Sequence, residues 1–232
     1  MSKKAIITEM FDDIAPHYDF LNHFLSLSID KTWRNKTAKF IQSCNPCSIL
    51  DIATGTGDMA ILLAEKCPDA NITGSDLSEN MLNIGKEKVK KRHLDTRISF
   101  VTGDACELPF EAECFDAITV AFGVRNFHDI EKGLLEMQRV LKPQGHIAIL
   151  EFSTPHNPLI KALYEFYFHK ILPGIGKIIS KNGSAYKYLP ESVSKFPTPN
   201  EFTEIMRRCG LNCEKRRSLS AGIATLYYIR RA

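Results

Sequence analysis

The sequence predicts an α/β fold in which helices cover both faces of a doubly wound, mostly parallel β-sheet. Short apolar runs suited to buried strands alternate with amphipathic helical segments through the middle of the chain. Charged residues stand at or near the carboxyl ends of the predicted strands, at Asp51, Asp76, Asp104, Arg125 and Glu151. Because ligands of such sheets bind beyond the carboxyl ends of the strands, this convergence predicts a binding site there.

The first predicted strand leads directly into a glycine turn. Residues 48–53 are apolar around Asp51, and Gly55 and Gly57 fall in the turn that follows. Glycine has no Cβ, so a backbone can pass close to a ligand there, and the helix predicted from Met59 would point its free amide groups at the same place. A tight turn without any ligand explains the two glycines nearly as well.

An acidic residue at the end of the second strand makes a nucleoside ligand the better interpretation. Asp76 stands 19 residues after Gly57, where a carboxylate can bond ribose hydroxyls. Asp58 directly follows the turn, and its charge would repel a pyrophosphate. Asp104, just beyond the third strand, is well placed to accept a hydrogen bond from an adenine amino group. The corner therefore suits an adenosine without phosphates, and S-adenosyl-L-methionine is the expected cofactor.

The remaining elements follow in order along the chain. Further strands are predicted at 71–76, 97–102, 115–122 and 146–151, with two closing strands near 212–218 and 223–230. Helices are predicted from Ser78, as N-cap, to about 92, at 130–141 before the stop signal at 142–145, and at about 200–209.

We expect one domain over residues 1–232. Residues 1–47 would form an N-terminal helical segment that packs over the sheet or acts as a lid, and 48–154 the ligand-binding core. Residues 155–195 would form a helical insertion, and 196–232 the last helix and the closing strands. The insertion is crowded with apolar residues between Leu159 and Ile179, which predicts either a buried cover or an apolar surface for a greasy substrate or a membrane face.

Composition narrows the class of protein. The chain is 44% apolar and carries a net charge of only +3, which gives no indication of a nucleic-acid partner. We find no signal peptide and no long uncharged apolar stretch, and expect a cytoplasmic protein. The seven cysteines are then expected to be reduced. Cys44 and Cys47 have a redox or zinc spacing, but no histidine lies near them, and we predict no metal site.

Several segments together carry a family resemblance. The specific ones are 11–19 with Asn22 and Trp33-Arg34, the pair Arg125-Asn126 within 122–126, and 188–192. Together with 50–58 and 108–110, which are common to many class I methyltransferases, and with 103–105, 136–143 and 150–153, they resemble the UbiE/MenG quinone methyltransferases over almost the whole chain. Ser28, Gln144 and Ala121 depart from the family pattern, and Ala121 stands where some members have a serine that contacts the cofactor.

The resemblance implies a class I methyltransferase fold with an antiparallel last strand, and C-methylation of the ring of a reduced polyprenyl quinone, with demethylmenaquinol preferred over a ubiquinone precursor. It implies that Thr56 contacts the methionine part of the cofactor and Asp76 the ribose, while Asp104 and the amide of Ala105 contact the adenine. We hypothesise that Arg125 stabilises a quinolate oxygen and that Asn126 and Tyr18 orient the ring hydroxyl. A structural ion pair is the alternative for Arg125. Peripheral membrane contact and a homodimer are further expectations.

Other functions fit the sequence less well. A methyltransferase acting on a nucleobase amine would carry an Asn/Asp-Pro-Pro-aromatic segment after the fourth strand, where this chain has Phe122-Gly-Val-Arg125. Asp58 disfavours a dinucleotide-dependent dehydrogenase. Methylation of another small molecule stays open, and a binding module without catalysis is disfavoured because the polar groups converge on one mouth.

Overall fold

The computed structural model describes residues 3–19, 26, 28–155, 157–166 and 184–231 of the 232-residue chain. The strands are β1 Ser48–Ile52, β2 Asn71–Asp76, β3 Ile98–Thr102, β4 Phe115–Ala121, β5 Leu141–Phe152, β6 Leu211–Leu219 and β7 Ala224–Arg231. The helices are α1 Lys3–Ile14, α2 Ile29–Ser43, α3 Asp58–Lys66, α4 Glu79–Lys91, α5 Ile130–Val140, α6 Pro158–Phe166, α7 Ser184–Lys195 and α8 Pro199–Arg208. Short 3-10 turns lie at Ala15–His17, Val124–Asn126 and Ser220–Gly222.

The described strands form one seven-stranded sheet in the order β3-β2-β1-β4-β5-β7-β6. The first five strands of the chain pair in parallel, whereas β7, the last strand, runs antiparallel to both β5 and β6. The strand order reverses between β1 and β4, which opens a crevice at their carboxyl ends. The predicted doubly wound sheet with an antiparallel last strand is confirmed.

Helices pack on both faces of the sheet because successive residues of the buried strands point to opposite sides. Ile49 belongs to a core with Trp33 of α2 and Leu63 of α3, whereas Leu50 belongs to a core with Leu134 of α5 and Phe202 of α8. Ile49, Leu50, Leu63, Leu134 and Phe202 have no solvent exposure. The near-continuous apolar character of the parallel strands follows from this double cover.

Side chains cap the N-termini of α4 and α8. Ser78 accepts a hydrogen bond from the amide of Met81 at 3.1 Å, so the predicted N-cap of α4 is confirmed. Thr198 and Glu201 form a reciprocal capping box at the start of α8, where Pro199 supplies the first helical residue.

The start of the fifth strand differs from the sequence prediction. The fifth strand was expected to begin at His146, but β5 begins at Leu141. Leu141 already pairs with Phe115 of β4, and the residues predicted to stop α5 form a register shift between this pair and the next, His146 with Ala117. Gln144 adopts a left-handed φ of 64° there.

The family segment 188–192 lies within helix α7, inside the predicted helical insertion. Pro190 removes one amide donor from this helix, and the buried Ser192 and Val193 anchor this turn of the helix.

Helix α6 confirms helical structure only for the first part of the predicted apolar insertion. The rest of that prediction, with Pro173-Gly174, lies outside the described residues, and so does the family residue Asn22. None of the helices in the described part of the chain combines the length and apolar character needed to cross a bilayer.

Candidate functional site

A cavity opens beyond the carboxyl ends of the central strands, where the strand order reverses. Its empty space, counted out to the open mouth and including solvent there, is about 770 Å³. The predicted residues that line it are Gly55, Asp76, Asp104, Ala105, Asn126 and Tyr18. Helix α1 closes one side of the cavity with Lys4, Ile7, Thr8 and Phe11.

A smaller cavity shares part of this wall. It is lined by Asp51, Thr56 and Arg34, and by Tyr18 and Ala121, which also line the main cavity. The remaining predicted residues, Gly57 and Arg125, line neither of these two cavities. Eight of the ten predicted site residues therefore line one or other of these two adjoining cavities.

The glycine turn adopts a backbone that suits glycine. Gly55 and Gly57 have φ values of 57° and 80°, in the left-handed region that side chains disfavour. A Cβ on Gly57 would also approach the ring of Phe100 to 2.9 Å. Gly57 therefore shapes the start of α3, while Gly55 faces the cavity.

The carboxylate of Asp76 is held by backbone amides at the edge of the main cavity. Its oxygens accept hydrogen bonds from the amides of Gly55 at 2.8 Å and Ser78 at 3.0 Å. Burial raises its pKa, and these amide bonds oppose that effect. The side chain is therefore locked in position at the end of β2, as a ribose-binding carboxylate must be.

The carboxylate of Asp104 is paired with the N-terminal helix. Lys4 lies 2.8 Å from one oxygen, and the amide of Cys106 donates to the other at 2.9 Å. Burial raises the pKa of Asp104, but the bonds from Lys4 and Cys106 and the charge of His128 outweigh it and leave the pKa below its ordinary value. The neighbouring Ala105 also lines the cavity.

Asp104, Cys106 and His128 offer potential metal-ligand atoms within 4.8 Å of one another. The Asp104 carboxylate is already bonded by an ammonium group, and the Cys106 thiol donates to the carbonyl of Asp129 at 3.1 Å. Burial raises the pKa of Cys106, which opposes the thiolate that metal binding requires. We assign no metal to this cluster.

The carboxylate of Asp51 lies buried beneath the smaller cavity. The hydroxyls of Thr54 and Thr119 each donate to it at 2.6 Å. Burial raises the pKa of Asp51 to about 6, although both hydroxyls and the charge of Arg34 lower it. The network ties the end of β1 to β4 and to the glycine turn.

Thr56 is engaged by a polar cluster that includes the N-terminal segment. Its hydroxyl donates to Asp19, and Lys88 lies 2.8 Å from Asp19 and 3.2 Å from the Thr56 hydroxyl. Lys88 also forms an ion pair with Asp58, the residue expected to repel a pyrophosphate. This cluster could not be predicted from local sequence patterns, because Asp19, Asp58 and Lys88 lie far apart in the chain.

Arg125 forms the ion pair that was considered as the alternative to its catalytic role. Its guanidinium lies 2.7 Å from the carboxylate of Glu151, donates to the carbonyl of Phe122, and lies over the ring of Phe152. The Glu151 side chain has no solvent exposure, and that of Arg125 is 8% exposed. The Arg125 Nε has no hydrogen-bond partner among the residues that the structure describes.

Asn126 lines the main cavity next to this ion pair. Its side-chain oxygen accepts a hydrogen bond from the hydroxyl of Tyr188 at 2.9 Å. Tyr18 packs edge-on against Phe11 and lies close to Gly55. The contact with Tyr188 was missed at the sequence level, where this residue stood out only as part of a family segment.

Known proteins resemble this chain over almost its whole length. A demethylmenaquinone methyltransferase of Bacteroides fragilis is 46% identical over 97% of this chain and 92% of its own. A ubiquinone/menaquinone biosynthesis C-methyltransferase UbiE of Geotalea daltonii is 49% identical over 95% of this chain and 94% of its own.

The fold also matches solved structures. A SAM-dependent methyltransferase from Aquifex aeolicus superimposes with a TM-score of 0.60 over 80% of this chain and 82% of its own, at 19% identity. At that identity the match concerns the fold alone. The sequence model of the ubiE/COQ5 methyltransferase family covers residues 1–230. With almost the whole chain matched, this protein belongs to the ubiE/COQ5 methyltransferase family.

Proposed function

We propose that this protein transfers a methyl group from S-adenosyl-L-methionine to a ring carbon of a reduced polyprenyl quinone, with demethylmenaquinol as the substrate. The observation that carries the proposal is full-length similarity to proteins named for this activity, of which the Bacteroides fragilis relative is named for demethylmenaquinone alone. The site supports it, because strand-end carboxylates and an apolar wall border one cavity.

The cofactor fits the polar groups at the mouth. Asp76 would accept hydrogen bonds from the ribose hydroxyls, and Asp104 with the amide of Ala105 would recognise the adenine. The backbone of Gly55 would pass close to the ligand, and Thr56 above the Asp51 network would contact the methionine part. The bound cofactor supplies an electrophilic methyl group on a sulfonium ion.

The reaction needs positioning and charge stabilisation from the protein. A deprotonated quinol hydroxyl pushes electron density onto the adjacent ring carbon. That carbon forms a bond to the methyl group as the bond from methyl to sulfur breaks, and the ring carbon then loses its proton to restore aromaticity. The products are the methylated quinol and S-adenosylhomocysteine.

Arg125, Asn126 and Tyr18 are the groups that we assign to the quinol. Asn126 and Tyr18 border the main cavity, where they can orient the ring hydroxyl. Arg125 lies one residue away, and its pairing with Glu151 fixes the direction of the guanidinium. Its Nε is buried and has no partner among the described residues, so it would donate to the quinolate oxygen only after the groups that cover it shift.

The N-terminal helical segment is proposed to act as a lid over the cofactor. Three of its polar side chains contact residues at the mouth: Lys4 contacts Asp104, Asp12 contacts Ser78, and Asp19 contacts Thr56. Limited proteolysis tests this assignment. Cleavage within residues 1–19 should slow when S-adenosylhomocysteine is added, and an unchanged rate would contradict a lid.

We also propose peripheral contact with the cytoplasmic face of the membrane, where a polyprenyl substrate resides. Helix α6 follows β5 at the mouth side of the sheet and exposes Leu159 at 72% and Phe166 at 58%. Co-sedimentation with liposomes should fall when both residues are replaced by serine. The expected homodimer stays a prediction that sedimentation equilibrium tests.

The quinone profile of a strain lacking this protein tests the proposed function. Demethylmenaquinone should accumulate, and the gene on a plasmid should restore menaquinone. If only a ubiquinone precursor accumulates, that precursor and not demethylmenaquinol is the substrate. An unchanged quinone profile would overturn the proposal.

A further inference from the structure

We propose that Tyr188 is a positioning residue, which fixes the side-chain amide of Asn126 so that its amino group faces the substrate. The inference rests on the proposed function, because it assumes that Asn126 contacts the quinol. It links a residue of helix α7 to Asn126 in the turn that follows β4.

The geometry defines which end of the amide is held. The Tyr188 hydroxyl lies 2.9 Å from the side-chain oxygen of Asn126. No described residue accepts a hydrogen bond from the Asn126 Nδ2. Since Asn126 borders the main cavity, its amino group is the end left to meet a ligand.

Tyr188 can hold the amide in this orientation only while its hydroxyl is protonated. Burial raises the pKa of Tyr188, and the charge of Glu151 adds to that effect, while Arg125 opposes it. The phenol therefore stays a donor at neutral pH. In the flipped orientation the Asn126 amino group would donate to the phenol oxygen, and the phenol hydrogen would then lack an acceptor among the described residues, which disfavours the flip.

The selected orientation matches the charge that develops during methyl transfer. An amino group donates a hydrogen bond to a quinolate oxygen, whereas an amide oxygen in the same place would repel it. An unrestrained amide would spend part of its time flipped and would have to reorient during the reaction. Preorganised donors avoid this reorganisation, which is why they stabilise transition states effectively.

The fold gives Tyr188 a rigid base. Helix α7 contacts both the Val124–Asn126 turn and α1, and its buried residues Ser192 and Val193 anchor it to the domain. The hydroxyl thus approaches Asn126 from an element that is independent of the turn carrying the Arg125-Asn126 pair. Its position 62 residues further along the chain makes the contact a tertiary one.

A double-mutant cycle of Tyr188→Phe and Asn126→Ala tests the inference. We expect Tyr188→Phe to lower kcat about 5- to 20-fold, the size of one hydrogen bond, while KM for S-adenosyl-L-methionine changes less than about 2-fold. The double variant should lose no more activity than Asn126→Ala alone, because the tyrosine acts only through the asparagine.

A matched control separates this role from general packing. Tyr228 packs edge-on against Phe40 at a centroid distance of 4.6 Å, away from both cavities, and Tyr228→Phe should keep normal kcat. Thermal melting of each variant reports whether it folds. If a folded Tyr188→Phe has normal kcat, or if its loss adds fully to that of Asn126→Ala, the inference is wrong. If Asn126→Ala itself has normal kcat, the role proposed for Asn126 fails instead, and the role of Tyr188 fails with it.

Discussion

On the cofactor side of the mouth, the polar groups stand at the ends of buried parallel strands, whereas on the substrate side they come from segments that lie outside the central sheet. Asp51 and Asp76 are held by hydroxyls and amides close to them in the fold of β1, β2 and β4. Asn126, by contrast, is held by Tyr188 of α7, and Tyr18 comes from the N-terminal segment.

This difference separates the features that many proteins of this architecture share from the features expected to be specific to the family. Strand ends and a glycine turn place carboxylates wherever a doubly wound sheet reverses its strand order, so many proteins of this architecture share them. The substrate side requires helices to meet from distant parts of the chain. Specificity for the quinol is therefore expected to depend on α1, α7 and the turn after β4.

The largest expected effect comes from breaking the ion pair on the substrate side. Arg125→Ala leaves the fully buried Glu151 without its partner, and the free energy of unfolding should fall by about 3–5 kcal/mol. Turnover should collapse, while the affinity for S-adenosyl-L-methionine stays nearly unchanged in the folded fraction. Chemical denaturation and calorimetric titration measure the two effects.

The double variant Arg125→Ala/Glu151→Gln separates structure from catalysis. Removing the unpaired charge should recover much of the stability, but not the turnover, if Arg125 acts on the quinolate. Recovery of both would assign Arg125 a structural role only.

Asp51 should make stability depend on pH. Because its folded pKa of about 6 lies above the unfolded value near 3.9, the folded state holds the proton more tightly. Its contribution is therefore fully present below about pH 4 and is lost as the pH rises through about 6. The shift of about 2 units corresponds to about 3 kcal/mol.

Denaturation of the wild type and Asp51→Asn at several pH values isolates this effect. The asparagine cannot titrate, so the stability of the wild type relative to the variant should decline between pH 4 and 8. Carboxyls with lowered pKa, such as Asp116, cancel in the difference. A flat difference would show that Asp51 titrates normally.

Asp76→Ala should affect the cofactor side alone. We expect binding of S-adenosyl-L-methionine to weaken by about 1–3 kcal/mol, since a carboxylate hydrogen-bonded to the ribose is lost. Asp116→Ala is the matched control, because Asp116 pairs with Ser48 and Lys142 near the amino end of β4, whereas Asp76 stands at the carboxyl end of β2. Equal losses of affinity for the two variants, measured by calorimetry, would refute the ribose role of Asp76.

The smallest effect is expected outside both sides of the site. Thr198→Ala removes the capping box of α8 and should lower the free energy of unfolding by about 1 kcal/mol, with no change in kcat/KM. A thermal melt and an activity assay check this. A change in kcat/KM would mean that α8 communicates with the mouth.

The sheet could be predicted from the sequence, and so could the strand-end positions of the carboxylates that we assign to the cofactor, because both depend on local patterns. An apolar run followed by an acidic residue locates a strand end, and a serine before a helix locates a cap, as at Asp76 and Ser78. The contacts that hold Asn126 and Thr56 depend on residues distant in the chain. No local pattern predicts which distant helix meets a given turn.

The start of β5 escaped prediction for a different reason. A Lys-Pro-x-Gly segment usually ends a helix and begins a turn, and here it does end α5. The sheet then takes in the same residues because Leu141 still pairs with Phe115 of β4, and the extra residues bulge out around Gln144. Tertiary pairing overrides the local signal.

The central claim is that the protein methylates a reduced quinone ring. A methyl-transfer assay with purified protein tests it most directly. The assay contains S-adenosyl-L-methionine labelled in its methyl group, and demethylmenaquinone with or without a chemical reductant. We predict that label enters a menaquinone product only when the substrate is reduced, because only the quinol can supply the electron-rich ring carbon. Absence of labelled product under reducing conditions, or equal labelling of the oxidised quinone, would contradict this account.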